Sequence, residues 1–383
     1  MTETQNTSRR PGALIAMSGG VDSSVAAWLM QRDGFDCTGV TMRLTRNEAV
    51  NTEGLHTCCS ERDIEDAAEV AYAMDIPYEV LDFTADFQEK IIDKFIRVYE
   101  AGGTPNPCID CNKYMKFDHL LRWAEAHGLD HVVTGHYARV EQDEATGRWL
   151  LKKGLDENKD QSYVLYSMTQ DELRHTLFPL GGMTKTHTRE LARKLGFYNA
   201  DKPDSQDICF VPDGDYASFI RSFTGRDYPR GEFVDKSGNV LGEHRGLIGH
   251  TVGQRKGLGI ALGEPRYVTA LLPKENRVVL GSNEDLMSRE LDAKNFNFIA
   301  FDTPPAEFRA SARVRYRQAE QPATVRVTGE DTVHITFDEP QRAITKGQAV
   351  VVYDGDVVIG GGEIGIEALL NVMRHPKLKD LPF

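Results

Sequence analysis

Short apolar runs alternate with amphipathic stretches over the first 135 residues of the chain. The runs predict buried strands over 13–17, 37–42, 77–82 and 131–134. Between them, apolar residues recur at three- and four-residue spacing, which predicts helices over 24–30, 63–74, 87–99 and 114–127. Alternating strands and helices predict a parallel, doubly wound α/β sheet. We therefore expect ligands at the carboxyl ends of the strands, where Met17, Met42 and Thr134 precede polar or Gly-rich loops.

The pattern changes after about residue 137. Residues 137–153 predict a β-hairpin, 183–195 predict a helix, and glycine is frequent between 219 and 263. From about Glu290, period-two alternation predicts short strands over 310–317, 323–327, 332–337, 349–353 and 357–363, typical of a small β-barrel or sandwich. We divide the chain into a flexible leader (1–11), an α/β domain (12–215), a central domain (216–288) and a C-terminal β-barrel (289–383).

Charge and hydropathy narrow the class of protein. The chain has 58 acidic and 45 basic residues and a formal charge of −13, which taken alone argues against nucleic-acid binding. The charge is unevenly distributed, however: residues 309–317 include four arginines and no acidic residue. The polar N-terminus lacks the apolar core of a secretory signal, and no apolar run reaches the ~20 residues of a membrane helix. We expect a cytoplasmic protein with no membrane partner.

The loop Ser18-Gly-Gly-Val-Asp-Ser-Ser24 follows the first strand and opens a helix. Unpaired amides at a helix N-terminus, glycines that allow close approach and hydroxyl donors favour a phosphate ligand. The loop lacks the Gly-Lys-Ser/Thr of the P-loop. It resembles instead the signature of PP-loop ATP pyrophosphatases, which adenylate a substrate oxygen and release pyrophosphate. Asp22 beside phosphates suggests that Mg²⁺ lies between them.

Two of the six cysteines suggest what replaces the adenylated oxygen. Cys111 is predicted to lie just before the helix 114–127, where the helix dipole favours a reactive thiolate. Cys209 lies in a second polar loop. A PP-loop with two loop thiols suggests sulfur insertion, in which ATP activates a carbonyl oxygen and a cysteine persulfide delivers sulfur to that carbon.

Several further motifs follow in one order along residues 12 to 365. They are 106–113 (Asn-Pro-Cys-Ile-Asp-Cys-Asn-Lys), 134–139 (Thr-Gly-His-Tyr-Ala-Arg), 159–165 (Lys-Asp-Gln-Ser-Tyr-Val-Leu), 207–210 (Asp-Ile-Cys-Phe) and 251–259 (Thr-Val-Gly-Gln-Arg-Lys-Gly-Leu-Gly). With the PP-loop, the set resembles the bacterial tRNA-specific 2-thiouridylases, which thiolate the wobble uridine (position 34) of certain tRNAs. A wobble base must leave its stack to reach an enclosed site.

The resemblance implies a role for each matching residue. ATP would be held, with Mg²⁺, by Ala16, Met17, Ser18, Gly19, Gly20, Val21, Asp22, Ser23, Met42 and Gly135. The target base would lie at Asn106, Pro107 and Cys108. Catalysis would use Cys111 and Cys209, the latter carrying a persulfide from a sulfur-relay or cysteine desulfurase protein. The tRNA would contact His136, Lys159, Asp160, Gln161, Arg315, Tyr316 and Gln348, so that the central domain and the barrel become tRNA-binding domains. Related enzymes act as monomers.

One position departs from the family pattern, which has Asp where this chain has Cys108. Cys108 and Cys111, with Cys58 or Cys59, also permit a [4Fe–4S] cluster that delivers sulfide. Two other hypotheses remain open. A PP-loop ligase could adenylate a small molecule, although it would not need two loop cysteines. A non-catalytic RNA-binding protein could carry a degenerate loop, although the intact 18–24 signature argues against it.

Overall fold

The computed structural model describes residues 9–45, 61–204 and 208–365. The chain forms two compact units, one of residues 1–88 and 111–212 and the other of residues 89–110 and 213–383. The sequence predicts consecutive domains, whereas in the structure the segment 89–110 groups with the C-terminal half.

The first unit begins with the predicted strand–helix alternation. Its elements are β1 (Gly12–Ala16), α1 (Val21–Arg32), β2 (Asp36–Arg43), α2 (Glu61–Ala73), β3 (Tyr78–Asp82) and α3 (Thr84–Phe87). A π-helical segment (Gln88–Ile92) then leads into α4 (Asp93–Glu100), which belongs to the second unit, as does α5 (Pro107–Asp110). Helix α5 continues as a second π-helical segment (Cys111–His119) into α6 (Leu120–Ala126), back in the first unit. The remaining elements of this half are β4 (His131–Val133), β5 (Ala138–Gln142), β6 (Trp149–Lys153), α7 (Gln170–Arg174), β7 (Thr176–Leu177) and α8 (Lys185–Lys194).

Five parallel strands form the sheet of the first unit, in the order β3-β2-β1-β4-β7. Alternate residues of β1 lie on opposite faces of the sheet. Ala13 and Ile15 pack with α1 and α2, while Leu14 packs with α6. A strand that is buried on both faces reads as a continuous apolar run, which is why the sequence reveals it. The doubly wound parallel sheet is confirmed.

Two helix starts differ from the sequence-based expectation. Helix α1 begins at Val21, so Asp22 and Ser23 lie in its first turn and not in the preceding loop. The helix that carries Cys111 begins four residues before it, at Pro107. Proline favours the first helical position because its missing N–H and fixed φ fit there. Cys108, not Cys111, therefore lies at the helix N-terminus.

A four-stranded sheet and a closed barrel form most of the second unit. After α9 (Tyr216–Thr224) come β8 (Gly231–Val234), β9 (Val240–His244), β10 (Tyr267–Leu272) and β11 (Arg277–Gly281), in the sheet order β10-β11-β8-β9. The barrel strands are β12 (Met287–Phe298), β13 (Glu307–Arg313), β14 (Gln321–Val327), β15 (Val333–Arg342), β16 (Ala349–Asp354) and β17 (Val357–Ile364). Pairing of β12 with β17 closes the barrel, which confirms the C-terminal fold predicted from period-two alternation.

The segment 89–110 shares an aromatic core with the start of the C-terminal half. The rings of Phe95 and Tyr99 in α4 lie about 6.0 Å from that of Tyr216, and Phe95 lies 6.3 Å from Phe219. Tyr228 and Arg226 both donate to Glu100. Among the described helices, none is both long and apolar enough to cross a bilayer.

Candidate functional site

Serine hydroxyls close the loop between β1 and α1. Ser23 Oγ accepts from the Ser18 amide at 3.2 Å and donates to Gly20 O at 3.0 Å. Gly20, the N-cap of α1, offers no side chain to the first-turn amides. Those amides remain available to an anion, and the helix dipole favours a negative charge there. The loop Ser18–Ser24 thus has the geometry expected for a phosphate ligand.

Glycine is required at two positions of this loop region. Gly19 has φ +68°, and a Cβ on it would lie 2.3 Å from Asp63 O. A Cβ on Gly135, which follows β4, would lie 2.9 Å from both Asp22 C and Ser23 N. The chain after β4 therefore reaches the first turn of α1 only because residue 135 has no side chain. Two strand ends, those of β1 and β4, meet at this point.

A buried lysine neutralises Asp22. Lys185, the first residue of α8, places Nζ 2.8 and 2.7 Å from the two carboxylate oxygens of Asp22. The Tyr137 hydroxyl donates to the same carboxylate at 2.9 Å. Burial, together with the charge of Asp22, raises the pKa of Tyr137, so the phenol stays protonated and keeps donating. The loop thus acquires from α8 the cation that its own sequence lacks.

The same lysine reaches a second carboxylate. Lys185 Nζ lies 2.8 Å from Asp204, which is also paired with Lys159 and Arg189 at 2.8 Å each. Burial opposes ionisation of Asp204, but the hydrogen bonds from Lys159 and Lys185 outweigh it and lower the pKa to about 2. Asp204 is therefore ionised at neutral pH and pairs with three cations, of which Lys185 also pairs with Asp22.

The other residues expected to contact ATP lie at the carboxyl ends of β1 and β2 and at the start of α1. Met17 is buried and its carbonyl accepts from the Thr41 hydroxyl at 2.6 Å. Ala16, Val21 and Met42 lie in the same part of the sheet, at the ends of β1 and β2 and at the start of α1. The structure thus gathers the carboxyl ends of β1, β2 and β4, as the sheet pattern predicts.

Four residues expected to contact tRNA are engaged inside the first unit. His136 is 8% exposed, lies 2.6 Å from Thr134 Oγ1 and packs on Phe117. Burial, aided by the charge of Lys116, lowers its pKa well below the usual value. Gln161 accepts from the Tyr137 amide at 2.9 Å. Asp160 accepts from the Gly154 and Ser162 amides, and Lys159 is paired with Asp204.

The cysteines occupy contrasting environments. Cys37 is buried in the core, as its position in an apolar run predicts, and burial raises its pKa to about 11. Cys108 is exposed, whereas Cys111 and Cys209 are half-buried. Cys58 and Cys59 lie outside the described residues. Within the described ranges, no three His, Cys, Asp or Glu side chains come together as a metal-binding group.

The barrel residues expected at tRNA lie beyond the end of a strand. β13 runs from Glu307 to Arg313, so Arg315 and Tyr316 lie in a turn, and the predicted strand over 310–317 starts three residues and ends four residues too far along the chain. Arg315 Nη2 donates to Ala343 O at 3.1 Å and Thr345 Oγ1 at 2.8 Å, while Tyr316 is exposed. Gln348 Nε2 donates to Thr104 O at 2.9 Å. Asn106 and Pro107 open α5, next to that contact.

Sequence reasoning missed the ionic network around Asp22. Lys185 and Asp204 lie 163 and 182 residues after Asp22, and neither stands in a motif that predicts phosphate binding. Thr184 is a recognisable N-cap, which predicts where α8 starts but not what the start faces. Only the tertiary fold brings these residues together.

The donor set at the loop fits Mg²⁺ shared with a nucleotide. The carboxylate oxygens of Asp22 are of the type that Mg²⁺ prefers, and Mg²⁺ typically takes one or two carboxylates together with substrate phosphates and water. The site also suits phosphates, because no side chain caps the N-terminus of α1 and the Lys185 ammonium lies 2.8 Å from Asp22 in its first turn.

Family profiles cover nearly all of the described chain. A profile described as tRNA methyl transferase HUP domain matches residues 12–213. The tRNA methyl transferase PRC-barrel domain matches residues 217–282, and the aminomethyltransferase beta-barrel domain matches residues 288–364.

Full-length relatives share about half of their residues with this chain. The tRNA-specific 2-thiouridylase of Clostridioides difficile (strain 630) is 52% identical over 352 residues, covering 92% of this chain and 97% of the relative. That of Carboxydothermus hydrogenoformans is 50% identical over 357 residues, covering 93% and 98%. A solved 4-thiouridine synthetase–RNA complex with bound ATP is 19% identical, with a TM-score of 0.37, covering 56% of this chain and 54% of that one.

Proposed function

The chain belongs to the family of tRNA-specific 2-thiouridylases, and on that basis we propose that it uses ATP to replace the C2 oxygen of the wobble uridine of tRNA with sulfur. The observation that carries the proposal is the identity of about 50% over 92% of the chain with relatives of that name. The PP-loop at α1 and the cysteines of 106–113 and 208–210 supply the chemistry that such a reaction needs.

In the first step the C2 oxygen of uridine attacks the α-phosphorus of ATP, and pyrophosphate leaves. The amides of the first turn of α1 and the Ser18 and Ser23 hydroxyls would hold the phosphates. Mg²⁺, when bound at Asp22, would offset the charge of the departing pyrophosphate. Lys185 is placed to contribute a second positive charge, because its ammonium group already lies 2.7 Å from Asp22.

In the second step a persulfide on Cys209 attacks C2, and AMP leaves with the oxygen. Cys111 then attacks the sulfur of Cys209, which breaks the S–S bond, leaves sulfur on C2 as the thiocarbonyl and forms a disulfide between the two cysteines. An external reductant, a thiol, restores both thiols. Breaking the S–S bond takes an electron pair from a second thiol, and Cys111 would supply it within the protein, which is the physical reason for assigning both cysteines to the reaction.

Partners follow from the same chemistry. A sulfur-relay protein or cysteine desulfurase would load Cys209, and we expect the enzyme to act as a monomer. A [4Fe–4S] cluster would be an alternative source of sulfur, with Cys108 and Cys111 as ligands. Because Cys58 and Cys59 lie outside the described residues, we assign no step to a cluster.

The test is substitution of Cys209 by serine. We expect Cys209→Ser to abolish 2-thiouridine formation while tRNA-dependent release of pyrophosphate persists, because adenylation precedes sulfur transfer. Cys37→Ala, which alters a buried core thiol, is the matched control and should still thiolate. Mass spectrometry of nucleosides and a pyrophosphate assay provide the two readouts. Thiolation by Cys209→Ser at the wild-type rate would refute the persulfide assignment.

A further inference from the structure

Two side chains that follow α8 reach back to the loop Ser18–Ser24. Asn199 is buried, and its Nδ2 donates to Gly19 O at 3.2 Å and to Ser24 Oγ at 2.9 Å. Lys202 Nζ donates to the same Gly19 oxygen at 3.3 Å. These residues all belong to the first unit. One carbonyl of the loop therefore accepts from two side chains that lie 180 and 183 residues later in the chain.

Two carboxylates of α2 hold the Lys202 ammonium group in place. Nζ lies 2.7 Å from Asp63 Oδ1 and 2.5 Å from Asp66 Oδ2. Burial opposes the positive charge of Lys202, but the hydrogen bonds to Asp63 and Asp66 outweigh it and raise the pKa of the lysine. An ammonium group has three donors, and here they meet three acceptors, the two carboxylates and Gly19 O.

The bonds to Gly19 O determine which way the next amide points. In a planar trans peptide, the C=O and the following N–H point in opposite directions. Because the Gly19 carbonyl points towards Asn199 and Lys202, the Gly20 N–H points away from them. A peptide between two glycines can rotate at little steric cost, since glycine adopts positive and negative φ alike. The orientation of this peptide therefore depends on the donors that hold its carbonyl.

We propose that Asn199 and Lys202 are positioning residues that hold the Gly19–Gly20 peptide with its N–H towards the phosphates of the bound nucleotide. Backbone N–H groups at a helix N-terminus bind anions, and Gly20 is the N-cap of α1. If the peptide were reversed, the Gly19 oxygen would face the phosphates and repel them. Both residues act through the loop. The proposal rests on the proposed function for the identity of the ligand.

The first experiment measures ligand binding by Asn199→Ala with calorimetry. The ligands are ATP with Mg²⁺, inorganic pyrophosphate, and adenosine, which carries no phosphate. We expect the affinities for ATP and pyrophosphate to fall by about 10- to 100-fold, because a hydrogen bond to a charged group contributes about that much. The affinity for adenosine should stay within twofold. A residue that only stabilises the fold would not separate the phosphate ligands from adenosine.

Asn112→Ala is the matched control. Asn112 is 2% exposed, as Asn199 is, and its Nδ2 also donates to a backbone carbonyl, Val164 O, at 2.9 Å. Asn112→Ala should lose thermal stability comparably but bind all three ligands like the wild type. Asn199→Asp is a second variant that keeps the shape of the side chain. An ionised carboxylate only accepts, so this variant should bind ATP at least as weakly as Asn199→Ala.

Nuclear magnetic resonance of the Gly20 amide reports its orientation directly. With nitrogen-15-labelled glycine, saturating pyrophosphate should shift the Gly20 amide proton to lower field in the wild type. The shift should be much smaller in Asn199→Ala and Asn199→Asp. Unchanged affinities for ATP and pyrophosphate, an equal loss of affinity for adenosine, or a full Gly20 shift in both variants would overturn the proposal. Failure of the wild type to bind ATP and pyrophosphate would refute the proposed function instead.

Discussion

Asp204 shows how one side chain can organise several others. It accepts from Lys159, Lys185 and Arg189, and Lys185 in turn bridges to Asp22 of the phosphate loop. A half-buried carboxylate with three cationic partners stays ionised, whereas burial without them would raise its pKa. The charge of Asp204 therefore helps to hold Lys185, together with Asp22, beside the loop Ser18–Ser24.

The low pKa of Asp204 makes stability depend on pH in a defined window. A carboxyl group whose folded-state pKa is lowered, here from 3.8 to about 2, stabilises the fold above its unfolded-state pKa and loses that contribution as pH falls towards 2. We expect Asp204→Asn to be less stable than the wild type above about pH 4, by at most about 3 kcal/mol, since the shift is nearly two pKa units and one unit corresponds to about 1.4 kcal/mol.

Urea unfolding between pH 7 and pH 2 measures this difference. The gap in free energy of unfolding between the wild type and Asp204→Asn should narrow as pH falls from about 4 to 2. Glu144→Gln, at an exposed turn of the β5–β6 hairpin, serves as the control and should keep a constant small difference. A gap that stays constant across the window would show that the ionic network contributes nothing to folding.

At the scale of elements, the chain after β4 packs against the first turn of α1, next to the loop Ser18–Ser24. We expect Gly135→Ala to force the two apart, because its Cβ would lie 2.9 Å from backbone atoms of Asp22 and Ser23. Overpacking of this kind costs about 1–3 kcal/mol. Gly182→Ala is the control, since a Cβ there meets nothing within 4 Å. The thermal unfolding temperature and the affinity for ATP should both fall in Gly135→Ala and stay near the wild-type values in Gly182→Ala. Equal unfolding temperatures and ATP affinities of the two variants would contradict this expectation.

Sequence patterns predict elements better than they predict their partners. The apolar run of β1 follows from burial on two faces and the alternation of β14 from burial on one, so the sequence alone predicts both strands. The π-helical segment that begins at Cys111 has no apolar pattern that predicts it. The sequence predicts the helix start after Cys111, whereas the helix begins at Pro107. Strands β10 and β11 are not among the predicted strands, although 267–272 is apolar except for Thr269.

In the candidate site, too, the sequence predicts the contiguous motif but not the residues that contact it from elsewhere in the chain. Residues 18–24 form a contiguous motif, so their chemistry is legible in the sequence. Lys185 and Tyr137 join them only through tertiary contacts, which depend on how α8 and the strand-end loop after β4 pack on α1. Gln348 was predicted to contact tRNA, but no local pattern could indicate that its amide donates to Thr104. Long-range pairings of this kind are properties of the fold and not of any segment.

At the scale of the whole molecule, the chain crosses between its two units. We expect a chain ending at residue 213 to be poorly packed, because α4 loses Tyr216 and Phe219, against which Phe95 and Tyr99 are almost fully buried. Binding of a hydrophobic dye and loss of solubility would report the exposed rings. Adding Phe95→Ser and Tyr99→Ser to the truncated chain should reduce dye binding. A truncated chain that binds no dye would contradict the expectation.

The crossing also sets an order of events during synthesis. Tyr216 follows Phe95 by about 120 residues. At a ribosomal speed of ~5–20 residues per second, α4 waits on the order of 10 s for its partner. For that time Phe95 and Tyr99 lack the rings of Tyr216 and Phe219 that pack against them in the folded protein. The yield of native enzyme therefore depends on how quickly the intervening codons are translated, and not only on the stability of the finished fold.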